Sequence, residues 1–172
     1  MSYELGPGNG TLAVRTGRTG TVAKAGHDLL IHVTKWRGTL ATGDEPSVTL
    51  DADATSLKVR EGTGGIKGLD AGDLANIEQT IDNDVLKRQD ITFRSTRVEE
   101  TADGLSVTGD LTVRGTTRPI AFDLELAGGR LRGTAVVKQT EWGMKPYTAL
   151  FGALKVADEV RVEIDAELGQ SR

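Results

Sequence analysis

Apolar and polar side chains alternate at every second position in several short segments of the chain. In one of them Ile120, Phe122 and Leu124 are separated by Ala121 and Asp123. The same alternation recurs in residues 29–34, 48–55, 105–113 and 160–168. Successive side chains of a strand point to opposite faces, so each segment predicts a strand with one buried and one solvated face. This pattern is typical of an antiparallel sheet that covers a core on one side only.

Turn-forming residues lie between these segments. Ala102-Asp103-Gly104 predicts a hairpin, the stretch from Arg114 to Pro119 predicts a second connection, and Ala127-Gly128-Gly129 predicts a third. The strands they join are expected at Ile91–Val98, Leu105–Val113, Ile120–Leu126 and Leu131–Lys138. The four form a meander, and the whole chain is expected to contain about eight strands, curled until the sheet edges meet.

One segment departs from the strand pattern. Leu74, Ile77, Ile81 and Val85 have the spacing of a single helix face, and Asp73 is a suitable N-cap. The sequence therefore predicts an all-β fold, an eight-stranded antiparallel barrel with one α-helix at about residues 73–86, built as a single domain over residues 1–172.

The composition excludes several classes of function. The 21 basic residues are scattered and outnumbered by 25 acidic ones, for a net charge of −4, whereas nucleic-acid binding normally requires a basic cluster. The chain has no cysteine, which excludes disulfides, thiolate nucleophiles and cysteine metal sites. No segment has the apolar length needed to cross a bilayer, and the N-terminus lacks the pattern of a signal peptide. We expect a soluble, cytoplasmic protein without a cofactor or a membrane span.

Four sequence elements together resemble the YceI-like family. They are Ile91-Thr92-Phe93-Arg94-Ser95, the run Gly109-Asp110-Leu111-Thr112-Val113-Arg114-Gly115-Thr116-Thr117-Arg118-Pro119, the stretch Thr140-Glu141-Trp142-Gly143-Met144, and the closing Asp158-Glu159-Val160-Arg161-Val162. The resemblance is strong over the C-terminal half and looser in the N-terminal half. It implies a lipocalin-like barrel whose cavity holds a polyisoprenoid lipid in some members of the family.

The inward faces of the predicted strands are the candidate ligand site. A barrel of about eight strands is either filled by side chains or holds one small ligand, and the small residues Ala52, Ala54, Gly133 and Ala135 on inward positions favour a retained cavity. With the resemblance, we expect non-catalytic binding of an isoprenoid lipid or quinone. The aromatic-rich segment from Trp142 to Phe151, which is interrupted by Gly143 and Pro146, is expected to lie at the cavity opening. The predicted ligand-binding residues are Leu29, Ile31, Val33, Phe93, Leu111, Phe122, Leu124, Trp142, Tyr147 and Phe151.

Other interpretations stay open at this point. A cavity enzyme of the isomerase or cyclase type could use His27 or Glu141 as an acid–base group. A barrel filled by side chains would bind no ligand and serve a structural or stress-response role. The Gly62-Thr63-Gly64-Gly65 stretch could bind a phosphate head group or form a plain loop. A metal site is not expected, because His27 and His32 point to opposite faces of a strand. The sequence leaves open whether the protein is a monomer or a homodimer.

Overall fold

The protein is described from a computed structural model that covers residues 2–16, 18–19, 28–63, 90–143, 148–149, 154–156 and 159–168. Within this part of the chain the structure is all β apart from two short 3-10 helices, Ala54–Ser56 and Gln139–Trp142. The strands are β1 (Ser2–Leu5), β2 (Gly10–Thr16), β3 (Arg18–Thr19), β4 (Asp28–Val33), β5 (Trp36–Ala41), β6 (Ser47–Ala52), β7 (Leu57–Thr63), β8 (Ile91–Glu100), β9 (Gly104–Val113), β10 (Thr116–Ala127), β11 (Arg130–Lys138), β12 (Thr148–Ala149), β13 (Leu154–Val156) and β14 (Glu159–Glu167).

Eleven of these strands form one curled antiparallel sheet. Its order is β1-β5-β6-β8-β9-β10-β11-β14-β2-β4-β7, and β12, β13 and β3 form a second, three-stranded sheet. The antiparallel all-β class predicted from the sequence is therefore confirmed. The sheet has eleven strands where the sequence predicted eight. The predicted helix at residues 73–86 lies outside the described part of the chain.

The additional strands arise at short corners that divide longer extended segments. Between β4 and β5, the Thr34 N–H and hydroxyl both donate to the Ser56 carbonyl, at 2.9 and 2.7 Å. The Lys35 N–H donates to the Ser56 hydroxyl, which itself donates to the Asp53 carbonyl. Asp53 caps the 3-10 helix Ala54–Ser56 between β6 and β7. Because every polar group of the buried Ser56 side chain has a partner, this double corner is stable in the interior.

The hairpin turns lie where the sequence predicts them, but one of them is shorter than predicted. Gly128 and Gly129 both adopt positive φ and connect β10 to β11 in two residues, the geometry that matches the twist of a hairpin. The predicted connection over residues 114–119 is wrong in length. Only Arg114 and Gly115, with φ of 54° and 76°, form the turn, and β10 begins at Thr116. Pro119 lies within β10, paired to Asp110 of β9 but beyond the part of β10 that pairs with β11, so a missing N–H is tolerated on that side.

Candidate ligand-binding cavity

The concave face of the sheet encloses an apolar cavity of about 240 Å³. The side chains that line it come from β1, β2, β4–β11 and β14, so the cavity is the space between the inward rows of nearly every strand of the large sheet. An engineered cavity of roughly 150 Å³ holds benzene, and small-molecule pockets usually measure about 300–1,000 Å³. The enclosed space therefore suits an apolar group that is a few carbons larger than benzene, or one part of a longer chain.

Most of the predicted site residues that the structure describes lie on this cavity. Ile31, Val33, Phe93, Leu111, Phe122 and Leu124 all line it. Leu29 lies on β4, but its side chain is outside the described part of the structure, as are Tyr147 and Phe151 altogether. The small residues Ala52, Gly133 and Ala135 also line the cavity, whereas Ala54 is buried in a corner.

The absence of side chains at two positions determines how the cavity walls pack. A Cβ on Gly109 would lie 2.5 Å from Phe93 Cζ, so the Phe93 ring lies directly over the glycine. A Cβ on Gly133 would lie 2.4 Å from Leu124 Cδ2. The Phe93 and Phe122 rings then meet with centroids 5.3 Å apart at an interplanar angle of 56°, a favourable tilted geometry for an aromatic pair.

The cavity lining is almost entirely without polar groups. Thr16, Thr49 and Gln139 are the polar side chains among the described residues that line it, and none of those residues is ionisable. Gln139 was not predicted from the sequence. The signal was present, since Leu131, Gly133, Ala135 and Val137 alternate inward along β11 and Gln139 continues the same period. A ligand inside this space would be held by dispersion and desolvation of apolar surface.

Trp142 has a structural position that differs from the one expected at the cavity opening. Its side chain is only 2% exposed, it does not line the cavity, and its indole Nε1–H donates to the Leu111 carbonyl at 2.9 Å. The Arg114 guanidinium donates to the Gly143 carbonyl in the same region. These two bonds attach the segment Gln139–Gly143, which we call the strap, to the end of the β9–β10 hairpin.

Glu141 is the alternative acid–base residue that the structure describes, and it is not brought into the cavity. Glu141 is exposed on the strap and does not line the cavity, although its neighbours Gln139 and Trp142 are buried. His27 lies outside the described residues, as do Gly64 and Gly65 of the predicted head-group loop. Over the described ranges, no group of three or more His, Asp or Glu side chains could hold a metal ion. No helix in those ranges is long and apolar enough to span a membrane.

The convex face carries ion pairs that neutralise its charges locally. Asp165 receives a bidentate contact from Arg130, at 2.6 and 3.0 Å, and lies 3.6 Å from Arg132. The hydrogen bond from Arg130, reinforced by the charges of Arg130 and Arg132, lowers the pKa of Asp165 against the opposing effect of partial burial. The same bond raises the pKa of Arg130. These groups point away from the cavity and stabilise the outer surface of β11 and β14.

Comparison with known proteins agrees with the resemblance seen in the sequence. Residues 7–168 match the YceI-like domain. The fold is similar to the crystal structure of Burkholderia cenocepacia BcnA, with a TM-score of 0.62 and 16% identity over 91% of this chain and 94% of that one. It is also similar to a Campylobacter jejuni YceI protein, with a TM-score of 0.61 and 14% identity over 83% of this chain and 85% of that one. No curated protein sequence matches the chain.

Proposed function

Because the chain belongs to the YceI-like domain family, we propose that it binds the apolar part of an isoprenoid lipid or quinone in its cavity, for carriage, storage or sequestration. The observation that carries the proposal is a cavity of about 240 Å³ whose described lining contains no ionisable side chain. Each methylene that a ligand buries there contributes about 0.8 kcal/mol. A flexible hydrocarbon tail can therefore bind without a cofactor and with few polar contacts.

The proposed architecture is a closed, lipocalin-like barrel. In the order of the large sheet, β1, β5 and β6 stand at one end and β2, β4 and β7 at the other. The chain runs directly from β1 to β2, from β4 to β5 and from β6 to β7 through short corners. When each pair is counted as one bent strand, the same three strands stand at both ends of the sheet order. The sheet therefore closes on itself, and about eight strands enclose the cavity. Strands arranged in this order surround the apolar interior and shield most of it from water.

The same lining argues for binding rather than catalysis. General acid–base chemistry needs a titratable group within hydrogen-bond reach of the ligand, and the exposed Glu141 does not line the cavity. Filling of the barrel by side chains, the remaining alternative, is disfavoured by the volume that the described residues leave empty.

Two adjacent residues of β11 provide a matched test. Ala135 lines the cavity, while Val136 points outward and is 55% exposed. We expect Ala135→Phe to weaken binding of the neutral fluorescent probe N-phenyl-1-naphthylamine at least tenfold, because the ring occupies the space that the probe needs. Val136→Phe should leave the affinity unchanged. Equal affinities for both variants and the wild type would contradict binding inside the cavity.

A further inference from the structure

The wall of the cavity is open between β10 and β11. These strands pair from Asp123 with Thr134 down to Ala127 with Arg130, yet β10 begins at Thr116 and β11 continues to Lys138. Residues 116–122 and 135–138 therefore extend beyond the ladder without pairing to each other. On its other side this part of β10 stays paired to β9, and β11 stays paired to β14. The result is a gap in the sheet.

Apolar residues of the cavity lining lie at the gap. Ile120, Phe122 and Ala135 line the cavity and are only half-buried. The strap contacts β10 beside the gap. If the apolar tail of a ligand occupies the cavity, the opposite end of that ligand is expected to lie at this gap.

Arg118 lies at the gap on the row that faces the cavity. It is opposite Leu111 in the β9–β10 ladder, and Ile120 and Phe122, two and four residues further along β10, line the cavity with Leu111. Because side chains alternate along a strand, Arg118 belongs to the same inward row. It is nevertheless exposed, which places a positive charge where the apolar interior meets water.

The charge of Arg118 is not neutralised within the described structure. Arg114 donates to the Gly143 carbonyl, whereas Arg118 has neither an ion pair nor a side-chain hydrogen bond to any residue in the described ranges. The outward-facing arginines that have carboxylate partners are Arg15, Arg94, Arg97, Arg130 and Arg132. An arginine that is free to accept a partner and stands beside an apolar cavity matches an amphiphile with a negative head.

Gln139 supplies a second polar group at the same end of the cavity. It is buried, lines the cavity and directly follows β11 at the start of the strap. When the β10–β11 register is continued past Asp123 and Thr134, the position opposite Arg118 is Gln139. An amide and a guanidinium can both donate to the oxygens of one anionic group.

From this arrangement we propose that Arg118 binds the anionic head group, a carboxylate or a phosphate, of an amphiphile whose tail occupies the cavity, with Gln139 at the boundary between head and tail. The inference rests on the proposed function, because the tail must lie in the cavity for the head to reach the gap. Guanidinium groups bind both kinds of oxyanion through paired N–H donors.

The test compares acid and ester forms of one fluorescent chain. We expect Arg118→Gln to weaken binding of cis-parinaric acid by roughly three- to tenfold, a modest loss because the site is partly exposed to solvent, and to leave the affinity for its methyl ester unchanged. Arg118→Lys should retain most of the affinity for the acid. Arg161→Gln is the matched control, since Arg161 is an exposed arginine on the outward row of β14. Competition by farnesyl monophosphate and by farnesoic acid, with farnesol as the neutral reference, distinguishes phosphate from carboxylate as the preferred head.

The outcomes separate this inference from the proposed function. If the wild type binds neither the acid nor the ester, the cavity proposal fails. If the wild type binds both, and Arg118→Gln changes neither affinity or changes both equally, the cavity proposal stands and the head-group site is wrong. A loss for the acid that Arg161→Gln reproduces would show a general charge effect and would also overturn the role of Arg118.

Discussion

The hydrogen bond from Trp142 to the Leu111 carbonyl should be a measurable part of the stability of the protein. Trp142→Phe removes the indole N–H that makes this bond at 2.9 Å inside a site that is only 2% exposed. A buried neutral hydrogen bond contributes about 0.5–1.5 kcal/mol, and an acceptor that loses its donor costs about 1–3 kcal/mol. The smaller ring also leaves a void next to β9. Together these effects are expected to lower the free energy of unfolding by about 2–4 kcal/mol.

Trp36 allows the contribution of the bond to be separated from that of the ring. It is buried to a similar degree, at 6% exposure, but within the described part of the chain its indole N–H has no acceptor. Trp36→Phe should therefore show the loss of ring volume without the loss of a hydrogen bond. We expect the two variants to differ by about 1–2 kcal/mol in urea-induced unfolding followed by circular dichroism. Equal losses for both variants would refute the attachment of the strap through Trp142.

Two further predictions address the cavity wall and the outer surface. A Cβ on Gly109 would lie 2.5 Å from the Arg94 carbonyl oxygen, so Gly109→Ala should destabilise the fold by about 1–3 kcal/mol in thermal unfolding. Gly8→Ala is the control and should be neutral, because a Cβ on Gly8 meets open space. A Gly109→Ala protein as stable as the wild type would contradict the packing of the cavity wall. Asp165→Asn removes the partner of Arg130 and should cost at most about 1 kcal/mol at neutral pH, because the pair is partly exposed. Since the folded pKa of Asp165 is lowered, its contribution is present above the unfolded pKa of about 3.9 and is lost as pH falls through the folded value. Urea titrations of wild type and variant should therefore converge in strong acid, and a constant difference across pH would refute this assignment.

The regular part of the fold could be predicted because two-residue alternation specifies which side chains face inward. Leu111 and Phe122 lie on segments where this alternation predicts the inward face, Phe93 lies in an element that carries the family resemblance, and all three line the cavity. The hairpin at Ala102-Asp103-Gly104 is likewise where its turn residues indicated, between β8 and β9. Local sequence is sufficient here because whether a side chain faces inward or outward depends on its position along a single strand.

The corners and the gap could not be predicted because they depend on contacts between distant segments. The corner after Val33 is formed by bonds from Thr34 and Lys35 to Ser56, which no local pattern indicates. Arg118 was assigned to a loop because Gly115 and Pro119 both suggest one, and that assignment hid its position on an inward row. Only the β9–β10 register, which pairs it with Leu111, assigns it to that row.

The retention of an apolar ligand through purification tests the central claim most directly. The protein would be isolated under native conditions, extracted with organic solvent and the extract analysed by mass spectrometry, with Ala135→Phe as the control whose cavity is filled. We expect an isoprenoid lipid or quinone in a stoichiometric amount from the wild type and much less from the variant. An extract that stays empty after incubation with candidate isoprenoids and quinones would contradict the account.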